Sequence, residues 1–170
     1  MRGVIKMCMR NVNTNAWFCK RVIFNAENEV SGYDGVLSGI VGDYNSSGEL
    51  CLNMSIVVGI FAMETSKVGD LDFEFGEEYE ICLRLTHIPS DCSQDVGTLI
   101  IPADHTGLYR NSKKTLELNQ VFVLKDYVLR IGPGDYQLKI LVRKKTENAP
   151  TNWIVQSIHS LKVYSGVISK

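Results

Sequence analysis

Val121 to Lys145, VFVLKDYVLRIGPGDYQLKILVRKK, sets two apolar runs on either side of Gly132-Pro133-Gly134-Asp135. After the turn, Tyr136, Leu138, Ile140 and Val142 fall on one face. Gln137, Lys139 and Arg143 fall on the other, with Leu141 the exception. Successive side chains of a strand point to opposite faces, so a period of two with a polar far side predicts a half-buried strand. Val121, Val123, Leu129 and Ile131 carry the opposite arm. Pro133 presets φ at roughly −65° and Gly134 takes positive φ without a clash, as a type II turn requires. The stretch predicts a hairpin or a corner between two sheets. A phosphate-cradling loop is excluded, because no Lys-Ser/Thr pair follows and no helical run opens after the glycines.

The same periodicity recurs along the chain. Glu77 to Leu85 places Tyr79, Ile81, Leu83 and Leu85 inward and Glu78, Glu80, Cys82 and Arg84 outward. Thr115 to Val123 alternates through Leu116, Leu118, Val121 and Val123, and Trp17 to Phe24 is aromatic and β-branched. Trp153 to Tyr164 closes the series. Leu50 to Met63 is the most apolar run. It is shorter than the about twenty residues a membrane span needs, and Ile56-Val57-Val58-Gly59 is a poor helix former. A central strand bent or bulged at Gly59 fits it. Asn11 to Asn15, Asn25 to Gly35, Asp43 to Glu49, Ser66 to Gly76, Thr86 to Gln94, Ala103 to Ser112 and Thr146 to Asn152 read as turns or loops. About eight short strands at roughly 8–12-residue spacing, with no long helical period, predict an all-β chain with little or no helix. The architecture expected is a single antiparallel β-sandwich, Greek-key-like. One domain over residues 1–170 is expected, with residues 1–41 an N-terminal extension adding strands.

At 170 residues the chain can bury a sizeable core, and 45% hydrophobic with 22% charged residues is ordinary for a globular protein. With 18 basic and 19 acidic residues the formal charge is −1, which lacks the footprint of a general nucleic-acid binder. Lys113-Lys114 and the trio Arg143 to Lys145 read as solvated strand ends. MRGVIKMCMRNVNTN holds no apolar core of signal-peptide length, so a cytoplasmic protein is expected. The 5 cysteines, Cys8, Cys19, Cys51, Cys82 and Cys92, are scattered without a CxxC, which suits reduced thiols.

From Val41 onward, the order Gly42-Asp43-Tyr44, Gly48-Glu49-Leu50 and Gly59-Ile60-Phe61 resembles a family of uncharacterised bacterial β-sandwich proteins. Leu116-Glu117-Leu118-Asn119, Gly134-Asp135-Tyr136 and Ile140-Leu141-Val142 continue the resemblance, which spans about Val41 to Val163. It implies the fold and carries over no functional site. This chain departs from it in the N-terminal extension and in a long loop containing Cys and His.

No residue pattern predicts catalysis, a cofactor or a metal. His87, Asp91, Cys92 and Asp95, with Asp104 and His105, are the residues whose chemistry merits weighing. His, Cys and Asp ligate zinc, and Cys92 beside His87 or His105 has the elements of a nucleophile and base. The spacing matches no zinc pattern, and Asp and Ser are frequent in loops for their turn propensity. Asp70, Asp72, Glu74, Glu77 and Glu78 read either as a calcium rim or as a solvated acidic turn, the second being favoured. Trp17 and Trp153 read either as core anchors or as exposed partner contacts, the first being favoured. The expected function is a non-enzymatic binding or protein-interaction module, without membrane attachment. It would act through loops Thr86 to Asp95 and Ala103 to Lys114, or through an exposed sheet edge offered to a partner strand. The binding candidates are His87, Asp91, Asp104, His105, Tyr109 and Arg110. Two other classes compete. A structural or assembly subunit of a phage or bacterial particle would be a homo-oligomer. A small-molecule or nucleotide-signal sequestering protein would gather Arg84, Tyr109, Arg110 and Lys113 around a deep pocket.

Overall fold

The computed structural model describes residues 8–28, 30–64, 69, 72–104, 115–145 and 152–166. Within them the chain forms nine strands and no helix. These are β1 (Val12–Phe24), β2 (Val30–Leu37), β3 (Gly39–Tyr44), β4 (Leu50–Met63), β5 (Tyr79–His87), β6 (Cys92–Ile101), β7 (Thr115–Val128), β8 (Gly134–Lys144) and β9 (Ile154–Ser165). The protein is all-β and mostly antiparallel, as its periodicity predicts. Hydrogen bonds join the strands into one sheet, in the order β2-β1-β4-β3-β9-β8-β5-β6, with β7 paired to β4.

β3 is the joint of that sheet. Gly39 to Gly42 run parallel to Lys162–Ser165 of β9, while Asp43 and Tyr44 pair antiparallel with Cys51 and Leu50 of β4. A Cβ on Gly42 would stand 2.8 Å from Leu50 Cδ1 and 3.0 Å from the Cys51 carbonyl oxygen. Only a residue without Cβ passes β4 that closely. Two arms result: β2, β1, β4 and β7 on one side of the joint, β9, β8, β5 and β6 on the other. One buried cluster draws on both. It takes Leu52, Met54, Ile56 and Val58 from β4, Tyr79, Ile81, Leu83 and Leu85 from β5, and Tyr136, Leu138, Ile140 and Val142 from β8. Truncating such a side chain, Leu138 for example, to alanine costs about 2–5 kcal/mol.

Val121 to Lys145 is a corner and not a hairpin: β7 pairs with β4, and β8 with β5 and β9. The link between them crosses from one arm to the other. Gly132 and Gly134 hold φ of 94° and 151°. The Tyr136 hydroxyl donates to the Gly132 carbonyl at 2.5 Å, and burial pushes its pKa up to about 12. Ile88 N–H donates to the Asp135 carbonyl at 2.9 Å.

Several local expectations are corrected. β4 is regular through Gly59, and its register shift lies between Leu52 and Met54, where Lys125 and Asp126 face Asn53. Asp126 takes φ of 50° there, and its N–H donates to Asn53 Oδ1 at 2.9 Å, a bulge held by a side-chain acceptor. That bulge adds a residue to β7, whose inward positions are Leu116, Leu118, Phe122 and Leu124, while Val123 is exposed. Cys82 keeps the face of Glu80 and Arg84 but is buried there, with Arg84 and Asp95 beside it. Asn11 to Asn15 is no gap: β1 begins at Val12, with Val12 and Thr14 buried and Asn13 and Asn15 exposed. In Asn25 to Gly35, everything from Val30 onward is strand.

A candidate strand-docking edge

β1 changes partner partway along. Val12 to Cys19 pair with Ala62 to Ser55 of β4, and from Phe18 to Phe24 β1 pairs with β2. Beyond Cys19, β1 and β2 form a two-stranded ribbon. Its turn is closed by Asn28 N–H on the Asn25 carbonyl at 3.1 Å and Glu27 N–H on Asn25 Oδ1 at 3.0 Å. Asn28 takes φ of 62°, a region asparagine tolerates better than most residues. The root of the ribbon is anchored by Cys19, Val22 and Val57, with Val30 and Val121 packed on them. Trp17 lies over Gly59, its Cζ3 3.4 Å from where a Cβ would stand, and Tyr33 stacks on Trp17. Trp17 is thus a partly exposed clamp, not the core anchor its sequence context suggests.

A two-stranded ribbon normally hides its apolar side chains or surrounds them with charge. Here Ile23, Phe24, Tyr33 and Val36 are 44%, 45%, 40% and 65% exposed. The outer edge of β2 is also bare. Among the described residues, its backbone bonds only to β1. VSGYDGVL contains neither Lys nor Pro, and what interrupts its edge is a bulge at Ser31 and Gly35 at φ of 63°.

The other edges are engaged. Gln94 on β6 donates from Nε2 to the Val128 carbonyl at 2.7 Å and accepts at Oε1 from Arg130 N–H at 3.2 Å. The Tyr127 hydroxyl donates to the Asp95 carbonyl at 3.0 Å, and the Phe122 ring covers Gly97. These contacts join the Gln94 to Gly97 part of the β6 edge to the Phe122 to Arg130 part of β7 and the link after it. On the opposite side, Gln156 of β9 accepts from Met9 N–H at 2.9 Å and donates to the Met9 and Val12 carbonyls at 3.2 and 2.7 Å. Thr14 and Ser157 hydroxyls meet there at 2.6 Å, and Ser157 Oγ lies 3.1 Å from His159 Nε2. Each glutamine stands in for a peptide group, with one acceptor and up to two donors.

Of the residues singled out from the sequence, His87, Asp91 and Cys92 meet at the β5–β6 turn, where His87 and Cys92 are opposed in register, and Asp104 does not join them. His87 and Asp91 flank the tight β5–β6 turn, and Asp104 lies past the far end of β6. At about 3.3 Å per residue, that strand spans about 30 Å. His105, Tyr109, Arg110 and Lys113 lie outside the described residues. His87 Nδ1 lies 2.8 Å from Ser90 Oγ, and its ring packs on Tyr136 at 4.9 Å. Asp91 holds φ of 53° in the turn. Asp95 is bound by Arg84 through two contacts of 2.5 and 3.1 Å, which hold its carboxyl below the usual range. Arg84 shares an open cleft with Ser93, Gln94, Tyr127 and Arg130. Among the described residues, no three His, Cys, Asp or Glu side chains gather to hold a metal. Burial raises the thiol pKa of Cys19, and that of Cys82 to about 11, which leaves both unreactive.

The described residues of the acidic segment take part in ion pairs. Asp72 receives Arg10 through two bonds of 3.1 Å. Lys144 reaches Glu74 at 2.8 Å and Glu77 at 3.4 Å, and Lys145 reaches Glu78 at 2.5 Å. Arg143 bonds Glu80 at 2.5 Å and sits 4.2 Å over the Trp153 ring. The basic trio is engaged and not merely solvated. Asp70 lies outside the described residues.

In the sequence, Asn25 to Gly35 has the composition of a loop, yet Val30 to Gly35 belongs to β2. Val30, Tyr33, Val36 and Leu37 carry the strand signal, which Ser31, Gly32, Asp34 and Gly35 dilute. No family model matches the chain, and no curated protein matches it. A solved structure it is similar to is that of the CooA pilin subunit from enterotoxigenic Escherichia coli. Identity is 9% and the TM-score 0.31, over 92% of this chain and 98% of that one. A likeness of that size fixes neither fold nor function.

Proposed function

We propose that this chain is a non-enzymatic assembly or interaction subunit to which a partner adds a strand at the outer edge of β2. The observation that carries this is the contrast between edges. Side chains of the opposite arm reach the β6, β7, β9 and β1 edges at Gln94, Tyr127 and Gln156, whereas the short regular stretch of β2 at Gly32 to Asp34, between a bulge at Ser31 and Gly35 at φ of 63°, has no such cover among the described residues. A strand added there would gain main-chain hydrogen bonds and lie beside the exposed Val36. The exposed free thiols Cys8 and Cys92 suit a reducing compartment, in keeping with a cytoplasmic protein.

The test is a photo-reactive side chain placed at Val36, with and without Gly32→Lys. A Cβ on Gly32 meets only Ile23 Cδ1 at 3.9 Å, so lysine fits the folded chain and acts solely as an edge charge. Cross-links are expected to map to one extended segment of the partner and to vanish with Gly32→Lys. Cross-links scattered over many segments, or unaffected by the lysine, would contradict the reading.

A further inference from the structure

We infer that the open cleft beside the β6 edge binds a phosphate group between Arg84 and Arg130, at a site separate from the β2 edge. The cleft has a volume of about 560 Å³ and is lined by Arg84, Ser93, Gln94, Asp95, Tyr127 and Arg130. Two arginines stand there against one aspartate, so the lining is net positive. Its acceptors are already used. Asp95 takes two bonds from Arg84 and one from the Cys82 thiol. Gln94 Oε1 accepts from the Arg130 backbone N–H at 3.2 Å, and the Asp95 carbonyl accepts from the Tyr127 hydroxyl at 3.0 Å. Its donors are in surplus. A guanidinium has five N–H groups and no acceptor, and Asp95 engages Nε and Nη2 of Arg84. Among the described residues no carboxylate pairs with Arg130, whose charge acts on the Tyr127 phenol. Surplus donors and positive charge suit a ligand that only accepts hydrogen bonds and bears negative charge. Phosphate oxygens meet paired guanidinium N–H groups in a bidentate fork. Arg84 stands on β5 and Arg130 on the link after β7, so the ligand needs oxygens pointing in two directions. A tetrahedral phosphate presents them, whereas a carboxylate holds both of its oxygens in one plane. A phosphate held by both arginines would join β5 of one arm to the crossing from the other, next to the Gln94 bonds that already do so.

The test is a titration of the full chain with inorganic phosphate and, separately, with glycerol phosphate, at neutral pH and low salt, where exposed charges are least screened. Backbone amide shifts are followed by NMR. Saturating shifts are expected at Gln94, Asp95, Tyr127 and Arg130, and the tighter of the two probes tells whether the group is held free or as an ester. Arg130 is exposed, and Arg130→Gln keeps its backbone bond to Gln94, so the variant retains the fold. It should weaken binding about tenfold, the loss of one charge-assisted contact. Asp95→Asn removes the competing carboxylate and should tighten binding; if that variant folds poorly, Arg130→Gln alone decides. Shifts that never saturate, that centre on other basic residues, or that Arg130→Gln leaves unchanged overturn the site.

Discussion

The indole of Trp17 stacks on the phenol of Tyr33, with ring centroids 6.1 Å and planes 21° apart. That contact ties the outermost strand to the strand beneath it, because Trp17 also covers Gly59 of β4. Trp17→Ala is expected to cost about 2 kcal/mol, less than a fully buried tryptophan because the ring is partly exposed. The urea midpoint should fall with an unchanged m-value, and amide exchange should quicken in β2 before it does in β8.

Gly134 is the second position where backbone and packing agree. Its φ is 151°, and a Cβ there would stand 2.5 Å from His87 Nε2. Gly134→Ala should cost about 2–4 kcal/mol, from strain and the clash together. Adding His87→Ala should restore the part due to the clash. Strictly additive losses in the double variant would show that the ring is not what excludes the side chain.

Arg143 joins Glu80 to Trp153. Arg143→Lys keeps the charge but loses the planar fork, and about 1 kcal/mol of stability should go with it. Thermal denaturation of this variant beside Arg143→Ala separates the charge from the stacking, and equal losses would assign the whole effect to geometry.

Acidification should weaken the fold in two limbs. Burial lowers the His159 pKa from its ordinary 6.5, so the unfolded chain takes the proton first. Stability present above about pH 6.5 is lost as pH falls from there toward the folded value. The Arg84 hydrogen bond lowers Asp95 from its ordinary 3.8, so its contribution holds above that value and is lost as pH falls through the folded one. Urea midpoints measured from neutral to acid pH should lose the first limb with His159→Gln and part of the second with Arg84→Gln.

The strands with strict alternation were legible. Tyr79, Ile81, Leu83 and Leu85 are buried as their period demands, and β4 spans Leu50–Met63 as its apolar run does. Pairing was not legible, because Pro133 and Gly134 serve a crossing between arms as well as a hairpin. β2 was missed since an edge strand packs on one side only and tolerates glycines that a central strand would not. The roles of Gln94 and Gln156 were equally hidden. A glutamine that closes a sheet edge cannot be told from a solvated one until the opposite arm is in place.

Amide hydrogen exchange resolved along β2 tests the open edge most directly. In dilute solution the Gly32 to Val36 amides that face away from β1 should exchange far faster than those of β6 and β7. Protection of β2 equal to that of β4 would contradict the assignment of β2 as the docking edge.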